Sequence, residues 1–112
     1  MESNTAIDQL SALAHAGRLS VFRLLVKAAP GGLPAGEIAR ALAIAPNTLS
    51  AQLTILNHAG LVTHRRAGRS IIHSADTRAI SGLILYLMED CCSGRPEICA
   101  PVVKAANDAT CC

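Results

Sequence analysis

The sequence predicts a mainly helical α+β chain of five helices and one β-hairpin, and three observations support it. Apolar residues recur at helical spacing in five stretches, separated by Pro, Gly or polar breaks. A basic segment, residues 62–74, reads instead as two short strands around Ala67-Gly68. Hydrophobic residues are 51% of the sequence but aromatics only 2%, so the core is built from Leu, Ile, Val and Ala. A chain of 112 residues has a modest core, which dimerisation would enlarge.

The first helix, residues 5–14, carries Ile7, Leu10 and Leu13 at helical spacing. The second, residues 16–28, has Leu19, Phe22, Leu25 and Val26 as its apolar stripe, and Pro30-Gly31-Gly32 stops it. The third, residues 35–43, turns Ile38, Ala39 and Leu42 inward. After an Ile44-Ala45 turn, Pro46 suits the first position of a fourth helix. That helix packs Leu49, Leu53 and Leu56 and ends at Gly60, a natural C-cap. Strands at 62–66 and 69–74 follow. Asp76 can cap a fifth helix, residues 77–90, whose Leu83–Met88 run is apolar almost all round. One small core cannot cover both sides of such a helix. A second copy is the simplest cover, so the expected homodimer forms through helices 5 and 1. Residues 105–112 are small and polar and are expected to be poorly ordered.

The net charge of +2 says little, but its distribution is informative. Residues 1–37 sum to zero and residues 76–112 to −2, while no acid lies between Glu37 and Asp76. That window holds Arg40, Arg65, Arg66 and Arg69, a directional field suited to a phosphate backbone. The third and fourth helices with a basic hairpin after them make a winged helix-turn-helix, whose second helix enters the major groove of duplex DNA. Asn47, Thr48, Ser50, Gln52 and Thr54 are the candidate base and phosphate contacts there. Arg65, Arg66 and Arg69 of the wing are the candidate backbone contacts. RNA or single-strand binding is disfavoured, because Phe22 and Tyr86 are the only aromatics able to stack on bases.

Cys91-Cys92 ends the fifth helix, and Gly94 and Pro96 lie in a loop that can fold Cys99 back onto the pair. Three convergent thiolates suit a soft, thiophilic ion. The odd count of five cysteines also favours ligand or redox chemistry over a disulfide framework. A helix C-terminus beside Glu89 and Asp90 disfavours thiolate, which speaks against a redox switch. The terminal Cys111-Cys112 pair reads as auxiliary, and His15, His58, His64 and His73 show no metal spacing.

Several segments resemble the ArsR/SmtB family of metalloregulatory repressors: Leu13-Ala14-His15-Ala16-Gly17-Arg18-Leu19, Gly36-Glu37-Ile38-Ala39, the run Leu49 to Leu56 with Ala59-Gly60-Leu61-Val62, and Arg66-Ala67-Gly68-Arg69. The likeness covers about residues 5–90. It implies a homodimeric repressor that releases double-stranded operator DNA when an inducer binds. The chain departs from the family where Ala51-Gln52 replaces a basic residue and His, and where His73 replaces a Tyr. The cysteines are similar to those of the arsenite-responsive branch whose ligands lie at and beyond the end of helix 5. The resemblance therefore implies trivalent arsenic, or antimonite, as inducer at Cys91, Cys92 and Cys99, with no constitutive cofactor. A methylated trivalent arsenical or another soft metal, held by fewer or different thiols, is the alternative.

On this reading residues 1–90 form the DNA-binding and dimerisation domain, and residues 91–112 the inducer segment and tail. No phosphate-binding Gly loop, C-x-x-C or base beside the thiols supports an enzyme. No signal peptide or membrane span is evident, so a cytoplasmic location is expected.

Overall fold

The computed structural model describes residues 2–89 and 96–108. Helices α1 (Ser3–Leu13) and α2 (Ala16–Lys27) meet at a corner with reciprocal caps. His15 Nδ1 accepts from the N–H groups of Gly17 (3.1 Å) and Arg18 (3.3 Å), satisfying the start of α2. Arg18 reaches back to the end of α1, where Nε donates to the Ala12 carbonyl at 2.6 Å and Nη2 to that of Ser11 at 3.4 Å. A guanidinium at a helix C-terminus meets both the orphan carbonyls and the negative end of the dipole.

A two-residue strand β1 (Leu33–Pro34) leads into α3 (Ala35–Leu42). That helix closes on Ala43 in the left-handed region, φ 53°, a conformation costly for a residue with a Cβ. Helix α4 (Pro46–His58) starts with Pro46 in its first turn, as expected. Gly60, at φ 79°, ends it: the Leu61 N–H donates to the Leu56 carbonyl and the Gly60 N–H to that of Asn57, both at 3.0 Å. Strands β2 (Val62–Ala67) and β3 (Ser70–Ala75) form the wing, with β3 central in the order β1-β3-β2. The side chain of Asp76 caps α5 (Thr77–Met88) by accepting from Arg78 and Ala79 N–H, each at 3.1 Å. Helix α6 (Pro96–Asn107) follows.

The core lies where α2, α3 and α4 meet the base of the wing: Val21, Leu25, Ile38, Leu49, Leu56, Leu61 and Val62 are fully buried, with Phe22 among them. Leu49, Leu53 and Leu56 point inward as predicted. Several expectations change. The helices number six among the described residues and the strands three. Residues 105–107, expected to be poorly ordered, belong to α6. The wing turns at Gly68-Arg69 rather than Ala67-Gly68, because Ala67 pairs with Ser70 and Gly68 supplies the positive φ of 63°. In α2, Leu19 and Val26 are exposed, and Val21 takes the inward place. In α1 the buried residues are Ala6, Gln9 and Ala12, whereas Ile7 and Leu10 face outward. Leu85, 71% exposed, and its neighbours Ile84 and Leu87 leave α5 with the open apolar face that its sequence predicts.

Candidate nucleic-acid interface and thiol site

Helix α4 turns Asn47, Thr48, Ser50 and Thr54 to the surface. Asn47 Oδ1 accepts from the Thr48 N–H (2.9 Å), and Thr54 Oγ1 donates to the Ser50 carbonyl (2.9 Å). These bonds leave the Asn47 amide donors and the Thr54 hydroxyl lone pairs for a partner. Position 52 departs from the sequence reading. Gln52 is 8% exposed, not at the surface, and cannot read a base. It sits three residues after Leu49 and four before Leu56, so it shares their inward stripe. Its Nε2 packs where a Cβ on Gly17 would stand, and its Oε1 is buried without a hydrogen-bond partner. Gln52 braces α4 against the start of α2.

In the wing, cross-strand partners share a face and successive residues alternate between faces. His64 pairs with His73 and Arg66 with Ile71, so these four lie on one face. Arg65 belongs to the other face, where Nη2 donates to the Gly31 carbonyl at 3.2 Å. Arg69 occupies the turn at the wing tip. All three arginines are exposed. The structure therefore brings Ser50 and Thr54 to one groove, leaves Asn47 and Thr48 at the start of α4, places Arg66 on the wing face that borders that groove, and holds Arg65 against the loop after α2.

That groove is a cleft of about 450 Å³ between α4 and the wing. Leu53 and Ile71 are among its apolar residues, and Ser50, Thr54, Asn57, His58, His64 and His73 supply its polar groups. The His64 and His73 rings lie 6.2 Å apart, and His64 Nδ1 is 2.9 Å from Asn57 Nδ2, a bond that ties the wing to α4. Burial, and then the neighbouring His64, hold the His73 imidazole below its ordinary pKa. Sequence reasoning passed over Asn57, His64 and His73. Placing the turn at Gly68-Arg69 would have paired the two histidines.

Of the proposed ion ligands only Cys99 falls among the described residues. It lies on α6, is 5% exposed and is disulfide-bonded. Cys91 and Cys92, with Cys111 and Cys112, lie outside the described residues. Among the described residues no group of three or more His, Cys, Asp or Glu is placed to hold a metal ion, and no helix is long and apolar enough to cross a membrane.

Residues 13–65 match the model of a helix-turn-helix domain family. The HTH-type transcriptional regulator NmtR of Mycobacterium tuberculosis is 40% identical over 74 residues, which cover 66% of this chain and 62% of that protein. The chain thus spans about three fifths of that relative's length. An ArsR-like transcriptional regulator from Rhodococcus sp. RHA1 superposes with a TM-score of 0.72 over 95% of each chain at 18% identity, a likeness of fold. The homodimeric winged helix-turn-helix DNA-binding domain of a possible ArsR-family regulator from Mycobacterium bovis gives 0.63 at 27% identity, over 79% of this chain and 81% of that one.

Proposed function

We propose that this chain, a winged helix-turn-helix protein of the ArsR/SmtB family and not an enzyme, is a homodimeric repressor. It holds operator DNA until trivalent arsenic, as arsenite or antimonite, is captured by Cys91, Cys92 and Cys99. One observation carries the DNA reading. The exposed stripe Asn47, Thr48, Ser50 and Thr54 stands beside a wing tipped by Arg69, and no carboxylate occurs between Glu37 and Asp76. The arginines, Arg65 and Arg66 included, supply attraction to phosphates, and the α4 side chains meet base edges in the major groove. The homodimeric relative from Mycobacterium bovis supports the pairing. So do the open apolar residues of α1 and α5, since each large aliphatic side chain taken from water contributes about 1.5–3 kcal/mol.

The sensing half rests on chemistry. Trivalent arsenic is soft, takes three sulfurs in a pyramid and keeps a lone pair where a fourth ligand would sit. Cys99 is disulfide-bonded, so its Sγ takes part in sulfur chemistry, and reduction would free that thiol for an ion. Residues 1–90 serve as the DNA-binding and dimerisation unit and 91–112 as the inducer segment. Capture would tie that segment to α5 and favour a dimer geometry in which the two α4 helices no longer match groove spacing.

The same disulfide favours a second reading, a thiol switch in which two thiols lose two protons and two electrons to an oxidant. Fluorescence anisotropy of the reduced protein on a duplex selected against it from a random library separates the two. Release by arsenite under reducing conditions, lost in Cys99→Ser, supports the arsenic reading. Release by peroxide alone replaces it with the thiol switch. Release of Cys99→Ser by a methylated arsenical assigns a two-thiol site.

A further inference from the structure

The α4–wing cleft contains chemistry that neither the base-reading stripe nor the thiols use. It opens on the side of α4 that carries Ser50 and Thr54, so whatever those residues face, the cleft faces too. With Asn57 Nδ2 as donor, His64 Nδ1 is the acceptor and its proton sits on Nε2, which remains a donor. Around the His64–His73 pair stand His58, Asn57 and Thr54 from α4, Ala35 from α3, and Ile71 from β3. Arg66 lies on the same wing face, and β1 contributes Leu33, the register partner of His73. None of these is a carboxylate. A cleft whose apolar walls carry hydroxyl, amide and imidazole groups and no acid suits a monoanion reached from outside.

We propose that this cleft seats one phosphodiester group of the bound DNA strand, and that the His64–His73 pair takes up a proton when it does so. The inference rests on the DNA reading above and adds to it a site and a pH dependence. In the free protein burial, and then the neighbouring His64 ring 6.2 Å away, disfavour the charged form of His73. A phosphate anion beside the rings reverses the balance and favours the charged form. The proton comes from solvent and rests on a ring nitrogen; no bond to phosphorus is made or broken. Since the complex binds more protons than its parts, affinity must rise as pH falls through the window between the free and bound pKa values. The effect is at most about tenfold per pH unit for one proton. It vanishes well above that window.

The test measures Kd of the full chain for the selected duplex by anisotropy at pH 6, 7 and 8 at constant ionic strength. The double variant His64→Gln/His73→Gln is run in parallel, its fold checked by circular dichroism. Duplexes carrying one uncharged methylphosphonate at each backbone position in turn complete the set. Binding by the unsubstituted protein should tighten roughly three- to tenfold between pH 8 and pH 6. The double variant should bind with a flat pH profile, and one methylphosphonate position per half-site should flatten it equally. A flat profile in the unsubstituted protein, or an unchanged slope in the double variant or in every methylphosphonate duplex, overturns the phosphate seat. If in those cases binding still weakens with salt and on Arg69→Ala, the DNA reading stands and the seat alone falls. Absence of any salt-dependent duplex binding removes both.

Discussion

Gly17 and Gln52 should behave as one unit, and their double-mutant cycle gives a sign reversal. A Cβ on Gly17 would clash with Gln52 Nε2 and lie 3.2 Å from both Gln52 Cδ and His15 Cε1. Forcing a methyl group into a packed site costs about 1–3 kcal/mol. Against this, Ala is favoured over Gly in a helix by roughly 0.5–1 kcal/mol, and Gly17 lies in the first turn of α2. The net expectation for Gly17→Ala is a loss of about 0.5–2 kcal/mol. In the Gln52→Ala background the Gln52 obstacle is gone, and the helical gain is opposed only by the 3.2 Å approach to His15 Cε1, part of an exposed ring. Gly17→Ala should there stabilise by up to about 0.5–1 kcal/mol. Gln52→Ala alone should be close to neutral: it loses buried methylenes worth about 0.8 kcal/mol each, but removes a carbonyl buried without a partner, worth about 1–3 kcal/mol. Urea unfolding of the four proteins at one fixed concentration measures the cycle, which should show a coupling of about 1–3 kcal/mol. Equal destabilisation by Gly17→Ala in both backgrounds would refute the packing described here.

The same variants bear on DNA: Gln52→Ala should leave base preference unchanged, and a selection experiment that returns a relaxed site would restore Gln52 as a base reader. Ala43→Gly should raise Tm, since Gly adopts φ 53° without the roughly 1–2 kcal/mol penalty of a Cβ; scanning calorimetry should show a rise of several degrees. Arg69→Ala should weaken binding to all duplexes and lower the slope of log K against log salt by about 1, while Arg65→Ala, already bonded to Gly31, should change the slope less. Equal slopes in the two variants would contradict the faces assigned to them. Leu85→Glu should convert the proposed dimer to monomer with a folded core, seen by sedimentation, because Leu85 makes no part of that core.

The parts of the fold that the sequence made legible are those governed by local chemistry. Pro46 starts α4, Gly60 ends it and Asp76 caps α5, each through an interaction spanning only a few residues. Strand β1 escaped notice for the opposite reason: two residues carry no periodicity, and Leu33 becomes a strand only by pairing with His73, forty residues on in the chain. The outward turn of Ile7 and Leu10 was equally hidden. Spacing identifies an apolar stripe but not which surface covers it, and in α1 the small Ala6 and Ala12 pack inward while the large residues remain open.

At the candidate site the same division separates what was read from what was missed. Residue type alone selected the wing arginines and the polar stripe of α4, because an acid-free stretch of basic and amide side chains has few uses other than binding phosphate and bases. Gln52 shows where that reasoning fails: glutamine is polar, but its position on the Leu49–Leu56 stripe decides its direction, and helical phase outweighs composition. The cleft shows a second limit. Antiparallel pairing is fixed by the turn, so moving the turn by one residue, from Ala67-Gly68 to Gly68-Arg69, shifts every cross-strand partner by two. With the former turn His64 would face Ile71; with the latter it faces His73, and two scattered histidines become a pair. The proposed phosphate seat is therefore encoded less in which residues the wing contains than in the single glycine whose positive φ sets their register. Shifting that register by inserting one residue beside Gly68 should separate the histidines and abolish the pH dependence, while the arginines keep their charge.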